Sequence, residues 1–273
     1  MPELPEVETV VRDLRPLLAG RRFTAVRTSQ KHLRKKWVKS WEQRLIGSQV
    51  TAVRRRGKWI LIDLEPIALL VMHLGMTGQL TVATDDSPVG NHTHLVFSLD
   101  DGGREFRFRD IRRFGSAQLF ADEMKWESSL DNQLGPEPFD LKPLDWRASL
   151  KNTDRNLKAV LLDQRMVAGV GNIYADESLF RAKIHPRQRG RETSPAQAER
   201  LRKAIVDILT KAIDGRGSTI RDYVGGSGLM GEYQDILAVY GRTGEPCLKC
   251  HTPIERIRLA GRSTHYCPKC QKD

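Results

Sequence analysis

Apolar residues recur at two different periods along the chain, and the switch between them divides it. Near the start, Val7, Val10, Val11, Leu14 and Leu18 stand three or four apart, which marks one face of a helix, with Gly20 as a stop. Pro5 suits the first turn, Glu6 and Glu8 suit the positive end of the helix dipole, and Pro16 is expected to bend or shorten the last turn. From about residue 22 to 120 the apolar runs become short or alternating, at 50–53, 59–64, 69–73, 80–83, 95–99, 106–108 and 117–120. With Gly and Asp turns between them, these predict an antiparallel sandwich.

Residues 121–144 carry Pro, Asp and Leu without a period and read as a linker. Beyond them the spacing is helical over 145–162, 172–182, 195–213 and 218–224, with Ser194 as an N-cap and Pro195 in the first helical position. Leu201, Ile205, Ile208 and Ala212 make the buried stripe of the third of these helices. The glycine turn Val167 to Asn172 leads into a helix N-terminus; it either reverses the chain or brings backbone amides to a phosphate. Between Gly215 and Gly231 lie six of the 22 glycines, which suits either a loop closing over a ligand or a plain connector.

Charge narrows the class of partner. With 45 Lys and Arg against 34 Asp and Glu, the net charge is +11 over 273 residues, which favours a polyanion such as nucleic acid or an anionic membrane surface. No apolar run approaches a membrane span and no signal peptide is evident, so a soluble, cytoplasmic protein without membrane association is expected. The basic residues cluster: Arg54, Arg55, Arg56 and Lys58; then Arg104, Arg107, Arg109, Arg112 and Arg113; then Arg256, Arg258 and Arg262. Each cluster alone could be a solvated strand face; together they favour phosphate contacts.

All four cysteines fall in the last 27 residues, as Cys247-x2-Cys250, 16 residues, then Cys267-x2-Cys270. The spacing predicts one structural zinc ion; two disulfides are the alternative. Four thiolates leave zinc no open position, so His251 and His265 are neighbours of the ion and do no chemistry.

Candidate reactivity sits at the N-terminus, where trimming of Met1 would leave Pro2 with a free secondary amine beside Glu3. Such an amine attacks carbonyl-like carbon when unprotonated, and an α-amine with an ordinary pKa of about 8 needs less help than lysine at about 10.4. Glu3 is placed to move protons. A plain helix start explains the same residues, and both readings can hold together. Lys58 is a second amine, a proton donor, a phosphate anchor or simply a solvated strand end. Phe114, in Asp110-Ile-Arg112-Arg113-Phe114-Gly115, is either a core residue or a wedge that fills a gap in a base stack.

Four motifs carry a resemblance over essentially the whole chain: Pro2-Glu3-Leu4-Pro5-Glu6-Val7-Glu8-Thr9; Asp110-x-Arg112-Arg113-Phe114-Gly115; Gly169-Val170-Gly171-Asn172-Ile173-Tyr174; and the four-cysteine end with Gly261-Arg262-x-Thr264-x-Tyr266-Cys267. The sequence resembles the bacterial formamidopyrimidine-DNA glycosylases. Leu4 stands where the related endonuclease VIII group, which prefers oxidised pyrimidines, usually has Gly.

The resemblance implies an α+β fold: an N-terminal helix with an antiparallel β-sandwich over 1–125, a helical helix-two-turns-helix domain over 126–236, and a zinc finger over 237–273. It implies a monomeric base-excision enzyme acting on damaged double-stranded DNA in the cytoplasm, nucleoid-associated through DNA. In that reading Pro2 attacks C1′ to form a Schiff base, Glu3 assists as proton donor and base, Lys58 serves proton donation and strand cleavage, and Arg262 grips phosphates and serves the second elimination. Met76, Arg112 and Phe114 fill the gap left by a flipped nucleotide. His73, His92, Arg155, Lys158 and Asn172 match or lie beside phosphate contacts. Glu6, Ser218, Ile220, Arg221, Asp222 and Tyr223 fall where the flipped base is read. A non-catalytic DNA-binding protein of this fold would be expected to lack Pro2, Glu3, Lys58 or Arg262, and a zinc-ribbon RNA or transcription module would not explain the N-terminal motif.

Overall fold

A computed structural model describes residues 1–66, 68–131, 133–218 and 233–272. Two compact units divide the chain: Met1–Asp131 with Gly215–Glu232, and Asn132–Asp214 with Tyr233–Asp273. Among the described residues no helix is long and apolar enough to cross a membrane.

In the first unit, helix α1 (Leu4–Leu18) starts on a reciprocal cap: the Glu3 N–H donates to Glu6 Oε2 at 2.8 Å. The helix runs through Pro16 to Leu18, so the expected shortening does not occur. Its predicted stripe of Val7, Val10, Val11, Leu14 and Leu18 is buried.

Eight strands follow: β1 (Phe23–Thr28), β2 (Gln49–Arg56), β3 (Trp59–Glu65), β4 (Ala68–His73), β5 (Gly78–Thr84), β6 (Thr93–Leu99), β7 (Arg104–Asp110) and β8 (Ser116–Phe120). They form two antiparallel sheets, β2-β3-β4-β8 and β1-β6-β7-β5. Alternate residues from both, including Val50, Ile60, Ile62, Leu70 and Met72 from one and Phe23, Phe97, Phe106 and Phe108 from the other, share one core with the α1 stripe. Strand β1 and helix α2 (Ser40–Leu45) escaped the sequence pattern. Each is short, and β1 interleaves Thr and Arg with its two buried residues, Phe23 and Val26.

The expected linker contains helix α3 (Glu123–Ser129), capped by the Asp122 side chain and anchored by buried Trp126, whose ring meets Trp59 at 6.1 Å. One buried residue in a short, mostly polar helix produces no period, which is why the pattern missed it.

The second unit carries α4 (Pro143–Lys151), α5 (Leu157–Leu162), α6 (Asn172–Ala182) and α7 (Pro195–Asp214), then strands β9 (Glu255–Leu259) and β10 (Arg262–Tyr266). The single helix expected over 145–162 is two: the chain breaks after Lys151, and the Asn156 side chain accepts from the Ala159 N–H to restart it. Ser194 caps α7 as expected, accepting from the Gln197 N–H, and the stripe of Leu201, Ile205, Ile208 and Ala212 is buried. The helix expected over 218–224 lies outside the described residues beyond Ser218.

Candidate functional site

In the first unit the N-terminus is embedded among charges. Pro2, Glu3 and Glu6 are buried, and Lys58 is only 6% exposed, so it is no solvated strand end. The amine present here belongs to Met1, and with Met1 attached Pro2 is a tertiary amide. Burial pushes that amine below its ordinary pKa, Arg112 and Lys58 push the same way, and Glu3 and Glu6 oppose them. Four of the predicted side chains therefore act on one nitrogen.

Glu6 has two duties. One carboxylate oxygen closes the helix cap; the other accepts from the Ser218 N–H at 2.8 Å and the Ser218 hydroxyl at 3.1 Å. Gly217 makes that approach possible: at φ +76° a Cβ would lie 2.9 Å from Glu6 Oε1. Ile220, Arg221, Asp222 and Tyr223, expected to read the base, lie outside the described residues, as does most of the glycine-rich segment.

The turns carrying Met76 and Phe114 are built back to back. Gly75 has no room for a Cβ, which would sit 2.5 Å from the backbone at Phe114 and Gly115. Asp110, fully buried, accepts from the Thr77 hydroxyl and from the Gly115 N–H at 2.7 Å, while Thr77 Oγ1 accepts from the Arg112 N–H at 3.1 Å. The residues between are pushed out: Arg112 is exposed, Arg113 adopts φ +58°, and Phe114 is 50% exposed. Phe114 is not a core residue. Asp110 is thus the less visible part of the motif, a buried carboxylate that holds the turn open.

His73 lies at the end of β4, half-buried, with Nδ1 accepting from the Gly75 N–H at 2.9 Å. Burial first, then the Lys58 and Arg34 charges, push its pKa down to about 4, so the ring is neutral near pH 7. Arg34 belongs with this group although no motif pointed to it; its N–H donates to the Gly115 carbonyl. His92 is exposed at φ +68°, its carbonyl accepting from the Asp110 N–H.

The basic clusters of this unit are mostly internal. Arg54 pairs with Asp63 and Glu123, Arg55 with Glu8, and Arg104 with Asp101, while Arg107 pairs with Glu105 and donates to the carbonyls of Thr84, Ser87 and Pro88. The phosphate-contact reading of these arginines is corrected, because their donors are spent on the fold.

In the second unit the glycine turn ends at the N-terminus of α6. Gln164, unforeseen, staples it by accepting from the Gly169 N–H and donating to the Val170 carbonyl. Asn172 opens the helix, and its Nδ2 donates to the Ser263 carbonyl at 3.0 Å. Arg155 is exposed but held by Asp163 at 2.6 Å. Lys158 does not reach outward: its side chain is 0% exposed, with Nζ 2.6 Å from Asp176 Oδ1 and 2.9 Å from the Asn172 carbonyl. Lys158, expected at or beside the phosphate contacts, keeps its ammonium inside the fold, next to the helix-opening Asn172.

Arg262 starts β10 after a two-residue hairpin turn in which Ala260 and Gly261 both have positive φ. It is exposed together with Arg256 and Arg258, and none of the three has an ion pair among the described residues.

The four cysteines are free thiols whose sulfurs lie within 4.8 Å of one another, with Sγ pairs at 3.4, 3.5 and 4.0 Å. Zinc–sulfur bonds of about 2.3 Å in a tetrahedron place sulfurs roughly 3.8 Å apart, so the cage fits the ion. Backbone N–H groups of Lys249 and Cys270 point at Cys247 and Cys267 sulfurs at 3.4 Å. His265 is turned away, paired with Asp176.

Family models match three stretches: the formamidopyrimidine-DNA glycosylase N-terminal domain over residues 1–117, the H2TH domain of the same proteins over 134–224, and the zinc finger found in FPG and IleRS over 244–272. A formamidopyrimidine-DNA glycosylase of Listeria innocua is 43% identical, with both chains covered in full. Among solved structures, a Lactococcus lactis FPG variant in complex with Fapy-dG-containing DNA superposes with a TM-score of 0.92 at 35% identity, both chains covered in full. A structure of MutM with carbocyclic 8-oxo-G-containing DNA gives 0.91 at 35% identity with the same coverage.

Proposed function

Because the chain belongs to the formamidopyrimidine-DNA glycosylase family, we propose that it removes oxidised purines from duplex DNA and then cleaves the strand, with Pro2 as nucleophile once Met1 is trimmed. The observation that carries this is the setting of the N-terminus: Pro2, Glu3, Glu6 and Lys58 are buried, and the Met1 amine one residue before Pro2 is held below its ordinary pKa by burial, Arg112 and Lys58, the surroundings that trimming hands to the Pro2 amine. A lowered pKa leaves more amine unprotonated near neutral pH.

The Pro2 nitrogen forms a bond to C1′ as the glycosidic bond breaks, and the base leaves with the electron pair and a proton. The attacking amine gives up its proton and the C1′–O4′ bond opens, its electron pair and a proton going to O4′; the iminium that results has no N–H to lose, so it stays cationic and draws electrons from C2′. Loss of the C2′ proton then breaks C3′–O, and a further elimination breaks C5′–O. Glu3, the nearest carboxylate in sequence, moves the protons, and Lys58 donates where a leaving oxygen needs one.

Exposed Arg262 and the helix-opening Asn172 hold phosphates, with His73 and His92 as further contacts. Phe114, Arg112 and Met76 support the stack that a flipped nucleotide leaves, at a cost of a few kcal/mol for flipping. Glu6 with Ser218 contributes to reading the flipped base. One structural zinc ion held by Cys247, Cys250, Cys267 and Cys270 organises the hairpin that carries Arg262 and takes no part in the reaction. The protein acts as a monomer in the cytoplasm, associated with the nucleoid through DNA.

Borohydride reduction tests the chemistry. The trimmed protein is expected to be trapped covalently on an 8-oxoguanine:cytosine duplex, and a form retaining Met1 is not. Absence of an adduct with trimmed protein overturns the Schiff-base reading, and efficient trapping by the Met1 form moves the nucleophile to Lys58 or another amine. Rates on 8-oxoguanine and on oxidised pyrimidines, measured side by side, test the preference.

A further inference from the structure

Four side chains of the second unit close a ring that the reaction does not use. Lys158 Nζ lies 2.6 Å from Asp176 Oδ1 and 2.9 Å from the Asn172 carbonyl. Asp176 Oδ2 accepts from the His265 N–H at 2.9 Å and lies 3.0 Å from His265 Nδ1; a carboxylate only accepts, so that ring nitrogen carries the proton. Asn172 Nδ2 completes the circuit on the Ser263 carbonyl at 3.0 Å. Asn172 and Asp176 are four residues apart on α6 and so share a face. Ser263 and His265 are two apart on β10 and so share an edge. Strand β9 covers the other edge of β10, so α6 takes the place of a third strand.

We propose that Asp176 is a positioning residue for phosphate binding: through Lys158 and His265 it fixes Arg262, the residue before Ser263, relative to Asn172. This rests on the reading of Arg262 and Asn172 as phosphate contacts. Lys158 and Asp176 side chains are both 0% exposed and that of His265 is 8% exposed, so none of the three meets DNA directly. Their effect on DNA has to pass through residues that do. The cost of burying a charged pair is recovered only with good geometry and further hydrogen bonds, and here Lys158 Nζ donates to both Asp176 Oδ1 and the Asn172 carbonyl while Asp176 Oδ2 accepts from the His265 backbone and ring. Glu177, the next residue of α6, works alongside it. Its carboxylate accepts from the backbone N–H groups of Ala238, Val239 and Tyr240, and the Tyr240 ring meets His265 edge-on at 5.0 Å. A hairpin held at these points presents its arginine without a search, which is what preorganisation contributes to binding.

The test is a double-mutant cycle on the full-length, zinc-loaded protein, reading affinity for a duplex with a stable abasic-site analogue as a function of salt. Asp176→Asn and Arg262→Gln are measured singly and together. If Asp176 acts through Arg262, each single variant weakens binding roughly tenfold and lowers the salt slope by about 1, and the double variant loses little more than either alone. Additive losses, or wild-type affinity and slope in Asp176→Asn, overturn the proposal. Since Asp176→Asn strands the Lys158 ammonium, the cycle is repeated with the charge-balanced pair Asp176→Asn and Lys158→Met, for which the same non-additivity is expected and additivity again overturns it. If Arg262→Gln alone leaves affinity and slope unchanged, the phosphate-contact reading itself fails.

Discussion

At the scale of single residues, environment decides which groups are available for chemistry. His73 shows this through its titration, displaced from 6.5 to about 4 by burial, Lys58 and Arg34. A histidine held neutral in the fold supports stability above the unfolded value and loses that support as pH falls, so the unfolded chain binds the extra proton between about 6.5 and 4. The gap of about 2.5 pH units, at about 1.4 kcal/mol per unit, bounds the loss at roughly 3.5 kcal/mol. We expect His73 to titrate near pH 4 by NMR, and His73→Gln to flatten the slope of stability between pH 6.5 and 4. Gly217 offers a steric counterpart. Its φ of +76°, and the 2.9 Å that would separate a Cβ at this position from Glu6 Oε1, predict that Gly217→Ala costs about 1–2 kcal/mol of stability by thermal melting, from the left-handed backbone alone. A melting temperature equal to wild type would show that the Glu6–Ser218 contact adapts freely. Neither effect is visible along the chain, because both depend on residues more than a dozen positions away.

Among elements, the turn after β7 separates structural from functional residues within one motif. Asp110 is buried and accepts from Thr77 and Gly115, whereas Phe114 is half out of the protein. Asp110→Ala leaves two buried donors without an acceptor and is expected to cost about 3 kcal/mol in denaturant unfolding. Phe114→Ala is expected to change stability by less than about 0.5 kcal/mol while sharply lowering cleavage of lesion duplex. If Phe114→Ala destabilised the fold as much as Asp110→Ala, the exposed wedge would have to be abandoned. Helices and strands with strong periods were legible from the sequence: α1, α6, α7 and seven of the eight sandwich strands, all but β1, fall where the apolar spacing puts them. The misses share a cause. Strand β1, helices α2 and α3 and the break between α4 and α5 have too few apolar positions to show a period, and are set by partners distant in sequence or by single caps such as Asn156.

For the whole molecule, the cysteine cage and the core are continuous in the second unit, where Cys247 and Cys267 pack with Phe180, Val239 and Ile254 in one buried cluster. Chelation is therefore expected to remove a cooperative transition belonging to that unit, leaving the sandwich core around Phe97 and Ile62 with its own transition in calorimetry. A single unchanged transition after zinc loss would contradict a structural ion. The sequence by itself determined the order of elements, the change of period, the cysteine cage and the candidate residues, because periodicity, turn chemistry and ligand spacing are local properties of the chain. It did not determine which charges are free. Eleven excess positive charges suggested three basic patches, yet Arg54, Arg55, Arg104 and Arg107 are matched by Asp63, Glu8, Asp101 and Glu105. Arg256, Arg258 and Arg262 stand exposed with no ion pair among the described residues. That division, the burial of Lys58 and the ring around Asp176 were decided only by tertiary structure, because burial and pairing exist only once segments far apart in the chain have packed together.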